Sequence, residues 1–152
     1  MTKSFSGPVS ELLPHRPPML LIDALLEDSP EHVRVSALVR REALFVTEEG
    51  WPGWVGAELM AQSIGVWGGL LRLSRGEAVQ VGFLLGSRRY ECRVPFFPVG
   101  ARLEINAVQE IVSEQGLAVF NCTLFMDGEP VATANLNVFQ PPDVSAYLKE
   151  LM

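Results

Sequence analysis

The sequence predicts an α+β domain in which one long buried helix is wrapped by a strongly curved antiparallel sheet of five to six strands. Three observations carry this. From Val55 to Leu71 the only strongly polar side chains are Glu58, Gln62 and Ser63, and a helix that is apolar on every side is a buried helix. Two strand-like runs precede it and four follow, several joined by links too short for anything but antiparallel pairing. One flat face cannot satisfy a helix that lacks a polar side, so the sheet must curve around it.

Along the chain, Val9 to Leu13 reads as a short helix stopped by Pro14. The double proline at Pro17 and Pro18 forces an extended entry to a buried strand over Met19 to Leu26. His32 to Val39 alternates as a second strand, with Val33, Val35 and Ala37 on one face. Residues 40–50 read as a loop, and Pro52 with Gly53 punctuate the start of the helix. At about 1.5 Å per residue the helix spans roughly 25 Å, the width of a small domain. A membrane span would need about twenty apolar residues. Here a carboxylate and an amide sit in the first half and Arg72 and Arg75 close the end, so none is expected. Val79 to Val94 reads as a long strand, with Gly82 and Gly86 marking a bulge or a close approach of a ligand or backbone. After a turn at Pro95, Pro98 and Gly100, strands are expected over Arg102 to Val112, Leu117 to Met126 and Pro130 to Phe139. Asp127 and Gly128 form the last hairpin turn. The tail from Pro141 reads as a loop and a last short helix.

The 152 residues fit a single domain, 1–152, large enough to bury a core without staples. With 48% hydrophobic residues, further surface is expected to be buried in an oligomer. A net charge of −6, from 18 acidic and 12 basic residues with no run of Lys or Arg, argues against nucleic acid as a partner. Cys92 and Cys122 lack metal-ligand spacing and read as buried thiols in a reducing compartment. The N-terminus lacks the apolar core and cleavage site of a signal peptide, so a cytoplasmic protein is expected. No G-x-S-x-G elbow, glycine-rich nucleotide loop or metal-ligand cluster occurs, and neither a metal nor a cofactor is expected.

Glu58 is the residue the pattern singles out. A carboxyl carried into an apolar surround is suited to proton transfer, although one near a helix start also caps free N–H groups. Gln62, one turn on, is placed to hold Glu58 or to line the same cavity. The entry at Gly53 and Trp54 offers first-turn N–H groups to a carbonyl oxygen that gathers negative charge, and Gly53 lets a substrate come close. Of the two histidines, His32 reads as solvated surface, whereas His15 lies between proline-rich elements and suits a structural or a catalytic role equally.

These residues carry a family likeness. LPHRPPMLLID at Leu13 to Asp23 resembles the opening of the 3-hydroxyacyl carrier-protein dehydratases of fatty-acid synthesis, which are hotdog-fold enzymes. Pro52, Gly53, then Glu58, Leu59, Met60, Ala61 and Gln62 resemble their PG-x4-E-x-MAQ signature. Gly86 falls at that family's glycine in the following strand, and Pro98, Val99, Gly100 resembles its P-x-G turn. The segments PGWVGAELMAQ, GFLLGSRRYEC and ANLNVFQP resemble a divergent branch associated with aryl-polyene pigment clusters. The family's catalytic histidine, in G-H-F-P eight residues before the PG, is replaced here by Leu44, followed by Phe45. The resemblance implies dehydration of a 3-hydroxyacyl thioester on the phosphopantetheine arm of an acyl carrier protein. It implies a homodimer or a heterodimer with a second hotdog protein, or a higher oligomer. By resemblance Glu58 would be the acid, the N–H of Gly53 or Trp54 would polarise the thioester carbonyl, and Gln62 and Gly86 would join them in binding substrate; His15 is the candidate for the missing base. Leu44 keeps open a non-catalytic hotdog subunit that supports an active partner, and an acyl thioesterase stands third.

Overall fold

The computed structural model describes residues 7–77, 83–87 and 89–139. In chain order the elements are a 3-10 turn at Val9–Glu11, strands β1 (Ala24–Ser29), β2 (His32–Leu38) and β3 (Trp51–Pro52), and helix α1 (Val55–Ser74). Strands β4 (Phe83–Ser87), β5 (Glu91–Cys92), β6 (Phe96–Phe97), β7 (Arg102–Val112), β8 (Leu117–Met126) and β9 (Glu129–Phe139) follow. The main sheet runs β1-β2-β7-β8-β9-β4, with β5 also paired to β9, and every pairing is antiparallel. This is the α+β architecture expected, with its helix against the sheet's concave side.

Period-two alternation builds the floor on which the helix lies. Val33, Val35 and Ala37 of β2, Leu103, Ile105 and Ala107 of β7, and Phe120, Cys122 and Leu124 of β8 all point inward and are buried. Val55, Leu59, Met60, Ile64 and Val66 of α1 meet them as one core. The Asp127-Gly128 turn has φ of 50° and 90°, the doubly positive geometry that favours Asp-Gly in a two-residue hairpin.

Three expectations need correction, and one element was not anticipated. The first strand starts at Ala24, not Met19, because the backbone of Met19 and Leu21 bonds to the Gln62 side chain instead of a neighbouring strand. The first short helix is only a 3-10 turn. The long strand of 79–94 is broken: β4 and β5 pair with successive parts of β9, and Arg89 between them has φ of 116°. A second, two-stranded sheet unites β3 with β6 and buries Trp51 and Phe97. The C-terminal helix expected beyond Pro141 and Gly82 lie outside the described residues. Among the described residues, no helix is long and apolar enough to cross a membrane.

Cys122 is enclosed between sheet and helix, and burial pushes its thiol up to about 12. The folded state therefore holds this proton where the unfolded chain, ionising near 9.0, releases it. The resulting stability is intact below that lower value and declines as the pH rises from there towards the upper one. Denaturant titrations above pH 9 should show a decline of about 1.4 kcal/mol per pH unit from this group, absent in Cys122→Ala.

Candidate active site

Helix α1 is not enclosed on all sides. Glu58, Ala61, Gly65, Gly68, Arg72 and Arg75 recur at spacings of three and four, which puts them on one face, and this face lines an open cavity of about 1150 Å³. The stripe from Glu58 to Arg72 measures roughly 21 Å at the helical rise. Leu13, His15 and Met19 roof one end, while Val112, Ala118 and Val138 from β7, β8 and β9 line the opposite wall. The middle is apolar and both ends are polar, because Arg72 pairs with Glu77 at 2.6 Å at the far end. Such a space suits an extended apolar ligand.

The glycines let the roof approach. A Cβ at Gly69 would stand 2.1 Å from the carbonyl oxygen of Leu12, and one at Gly65 would stand 2.5 Å from the Leu13 side chain. Sequence reasoning passed over both. The available signal was their cost, since glycine inside a helix is about 1 kcal/mol worse than alanine unless a close contact requires it.

At the roofed end, His15 Nε2 lies 3.7 Å from Glu58 Oε1 within the same chain, and both side chains are about one third exposed, at 31% and 32%. Glu58 thus sits at a wet mouth rather than in the dry interior that an all-apolar helix implied. The separation exceeds a hydrogen bond, as is common for catalytic pairs without substrate. His15 Nδ1 is buried and has no hydrogen-bond partner among the described residues. Arg16 Nη1 lies within hydrogen-bond distance of the Ser10, Leu13 and His15 carbonyls and gathers the roof.

Gln62 is fully buried. Its Nε2 donates to Met19 O at 2.8 Å and to Glu58 Oε1 at 3.0 Å, and its Oε1 accepts from the Leu21 N–H at 2.9 Å. It sits behind Glu58 and does not line the cavity. Gly53 and Trp54 also lie outside the lining. The Gly53 N–H donates to Pro95 O at 2.9 Å and its carbonyl accepts from the Tyr90 hydroxyl at 2.6 Å. That N–H is therefore not free for a substrate carbonyl. Burial, and then the neighbouring Cys92, push the Tyr90 hydroxyl above its ordinary range, so it stays a donor to Gly53. Trp54 is 57% exposed and packs edge-on against Phe45, ring centres 5.1 Å apart. Phe45 has φ of 71°, and Leu44 beside it accepts a hydrogen bond from the Trp51 indole through its carbonyl. Gly86 lies in β4, its backbone paired with Asn137 beyond a bulge. His32 is bonded to Asn106 on the sheet. Among the described residues, no group of three or more His, Cys, Asp or Glu side chains is placed to hold a metal.

Among the described residues, one helix laid across an antiparallel sheet, with a helix-borne carboxyl at the mouth of an apolar cavity, defines a hotdog domain. Residues 7–149 match the ApeP-like family, described as ApeP dehydratase. The chain belongs to this dehydratase family. It is 32% identical over 141 residues to the 3-hydroxyacyl-(acyl-carrier-protein) dehydratase FabZ of Syntrophotalea carbinolica, covering 88% of this chain and 92% of that sequence. Its structure is similar to the dehydratase heterocomplex ApeI:P from Xenorhabdus doucetiae, with a TM-score of 0.87, 32% identity, and 97% and 99% of the two chains covered. The E. coli PaaI protein of the phenylacetic acid degradation operon shares the fold alone, with 14% identity, a TM-score of 0.58, and 76% and 81% covered.

Proposed function

We propose that this chain removes water from a 3-hydroxyacyl thioester held on the phosphopantetheine arm of an acyl carrier protein. The product is a trans-2-enoyl thioester, in fatty-acid-like or aryl-polyene assembly in the cytoplasm. The observation that supports this best is the approach of His15 to Glu58 at the end of an apolar cavity. A base takes the C2 proton, the C3–O bond breaks, and an acid protonates the departing hydroxyl so that it leaves as water. Glu58 is the acid. His15, through Nε2, is the base, and the acyl chain runs along Ala61, Gly65 and Gly68. Trp54 offers a first-turn N–H to the thioester carbonyl, and Gly86 contributes to substrate binding.

A second reading has its own support. Leu44 stands at the family's histidine position, so a second hotdog chain would supply the base to Glu58. The relative that assembles as a heterocomplex fits this reading. Purified protein incubated with 3-hydroxyacyl carrier protein, alone and with a co-expressed hotdog partner, separates the two. Under the first reading the isolated protein turns over, and His15→Ala loses activity without losing thermal stability. Turnover only with the partner, unchanged by His15→Ala, transfers the base to that partner. Free carrier thiol as the product would make the chain a thioesterase instead.

A further inference from the structure

We infer that Gln62 is the positioning residue of the acid: it pins Glu58 Oε1, so that Oε2 alone exchanges protons with the substrate. This rests on Glu58 being the acid. Gln62 was expected to contact substrate, but its hydrogen-bonding groups are committed elsewhere. The Leu21 N–H can only donate and the Met19 carbonyl can only accept, so the bonds to them fix which end of the amide is oxygen. One N–H of Nε2 goes to Met19, and the other is aimed at Glu58 Oε1. A hydrogen on Oε1 would confront that N–H. The acid's proton therefore resides on Oε2, the oxygen that Gln62 leaves unbonded.

The same amide joins the roof to the helix. Met19 and Leu21 follow His15 within one short segment, and Glu58 is one turn from Gln62, so a single buried side chain sets both halves of the His15 and Glu58 pair. A roof clamp alone would change stability and substrate affinity. A positioning role changes the chemical step, because a misplaced reacting group costs rate even when binding survives.

The test compares the wild type with Gln62→Met, Gln62→Glu and Glu58→Gln in whichever assembly is active, alone or with its partner. Gln62→Met is expected to lower kcat about a hundredfold and to leave KM within about threefold. In Gln62→Glu the introduced carboxyl accepts from Leu21 but repels Glu58 when ionised. Its activity relative to the wild type should rise as the pH falls and that carboxyl gains a proton to donate. A reading independent of activity is the side-chain amide of Gln62 by NMR: one of its two protons should shift as Glu58 titrates, and Glu58→Gln should abolish that shift. If Glu58→Gln stays active, the acid assignment fails whatever Gln62 does. If Glu58→Gln is inactive while Gln62→Met keeps its kcat, Gln62→Glu shows no recovery at low pH, or the amide proton ignores Glu58, the positioning role alone is overturned.

Discussion

Glu58→Gln is expected to lower dehydration turnover by at least about a hundredfold, since a positioned acid or base contributes roughly 10²–10⁴ to rate. The folded state should barely respond. The side chain is about one third exposed at the cavity mouth, the amide replaces the carboxylate at equal size, and its oxygen still accepts from Gln62. A change in unfolding free energy within about 0.5 kcal/mol is expected, measured by denaturant titration beside the activity assay. Full turnover in this variant would remove Glu58 from the reaction.

The largest effect on stability is expected at Gly69. On helix propensity alone, Gly69→Ala would gain up to about 1 kcal/mol. Here the added Cβ would stand 2.1 Å from the Leu12 carbonyl oxygen and 2.8 Å from its carbon, and both are backbone atoms that cannot rotate away. The helix and the Leu12 to His15 roof must separate. Overpacking of this kind costs typically about 1–3 kcal/mol, so the denaturation midpoint should fall where the propensity argument says it should rise. An unchanged or raised midpoint would mean that the roof does not sit on the helix as described. As His15 belongs to that roof, turnover should drop in the same variant.

The sheet was legible because its side chains alternate with period two: β7 and β8 occupy the spans expected, and the Asp127-Gly128 turn joins β8 to its partner β9. The first strand was misplaced because an apolar run looks the same whether its backbone pairs with a strand or with a side chain 41 residues away. The helix was read as buried on all sides because glycine and alanine count as apolar whether they face a core or an open cavity. That choice depends on what lies opposite, and the wall formed by Val112, Ala118 and Val138 is distant in sequence. For the same reason Gly53 looked like an open donor: its acceptor, Pro95, comes from a turn 42 residues on. His15 was paired with Glu58 by elimination: the family likeness calls for a base, Leu44 replaces the usual histidine, and His32, the other histidine, reads as solvated surface.

The bonds of Gln62 carry a consequence for engineering. Any redesign of the roof near Met19 and Leu21, meant to admit a different ligand, is transmitted to the Glu58 carboxyl through one amide. Substitutions there should be epistatic with those at Glu58, their combined effects departing from the sum of the single ones. A design that widens the cavity there must keep both backbone bonds of Gln62 if the Glu58 carboxyl is to hold its place.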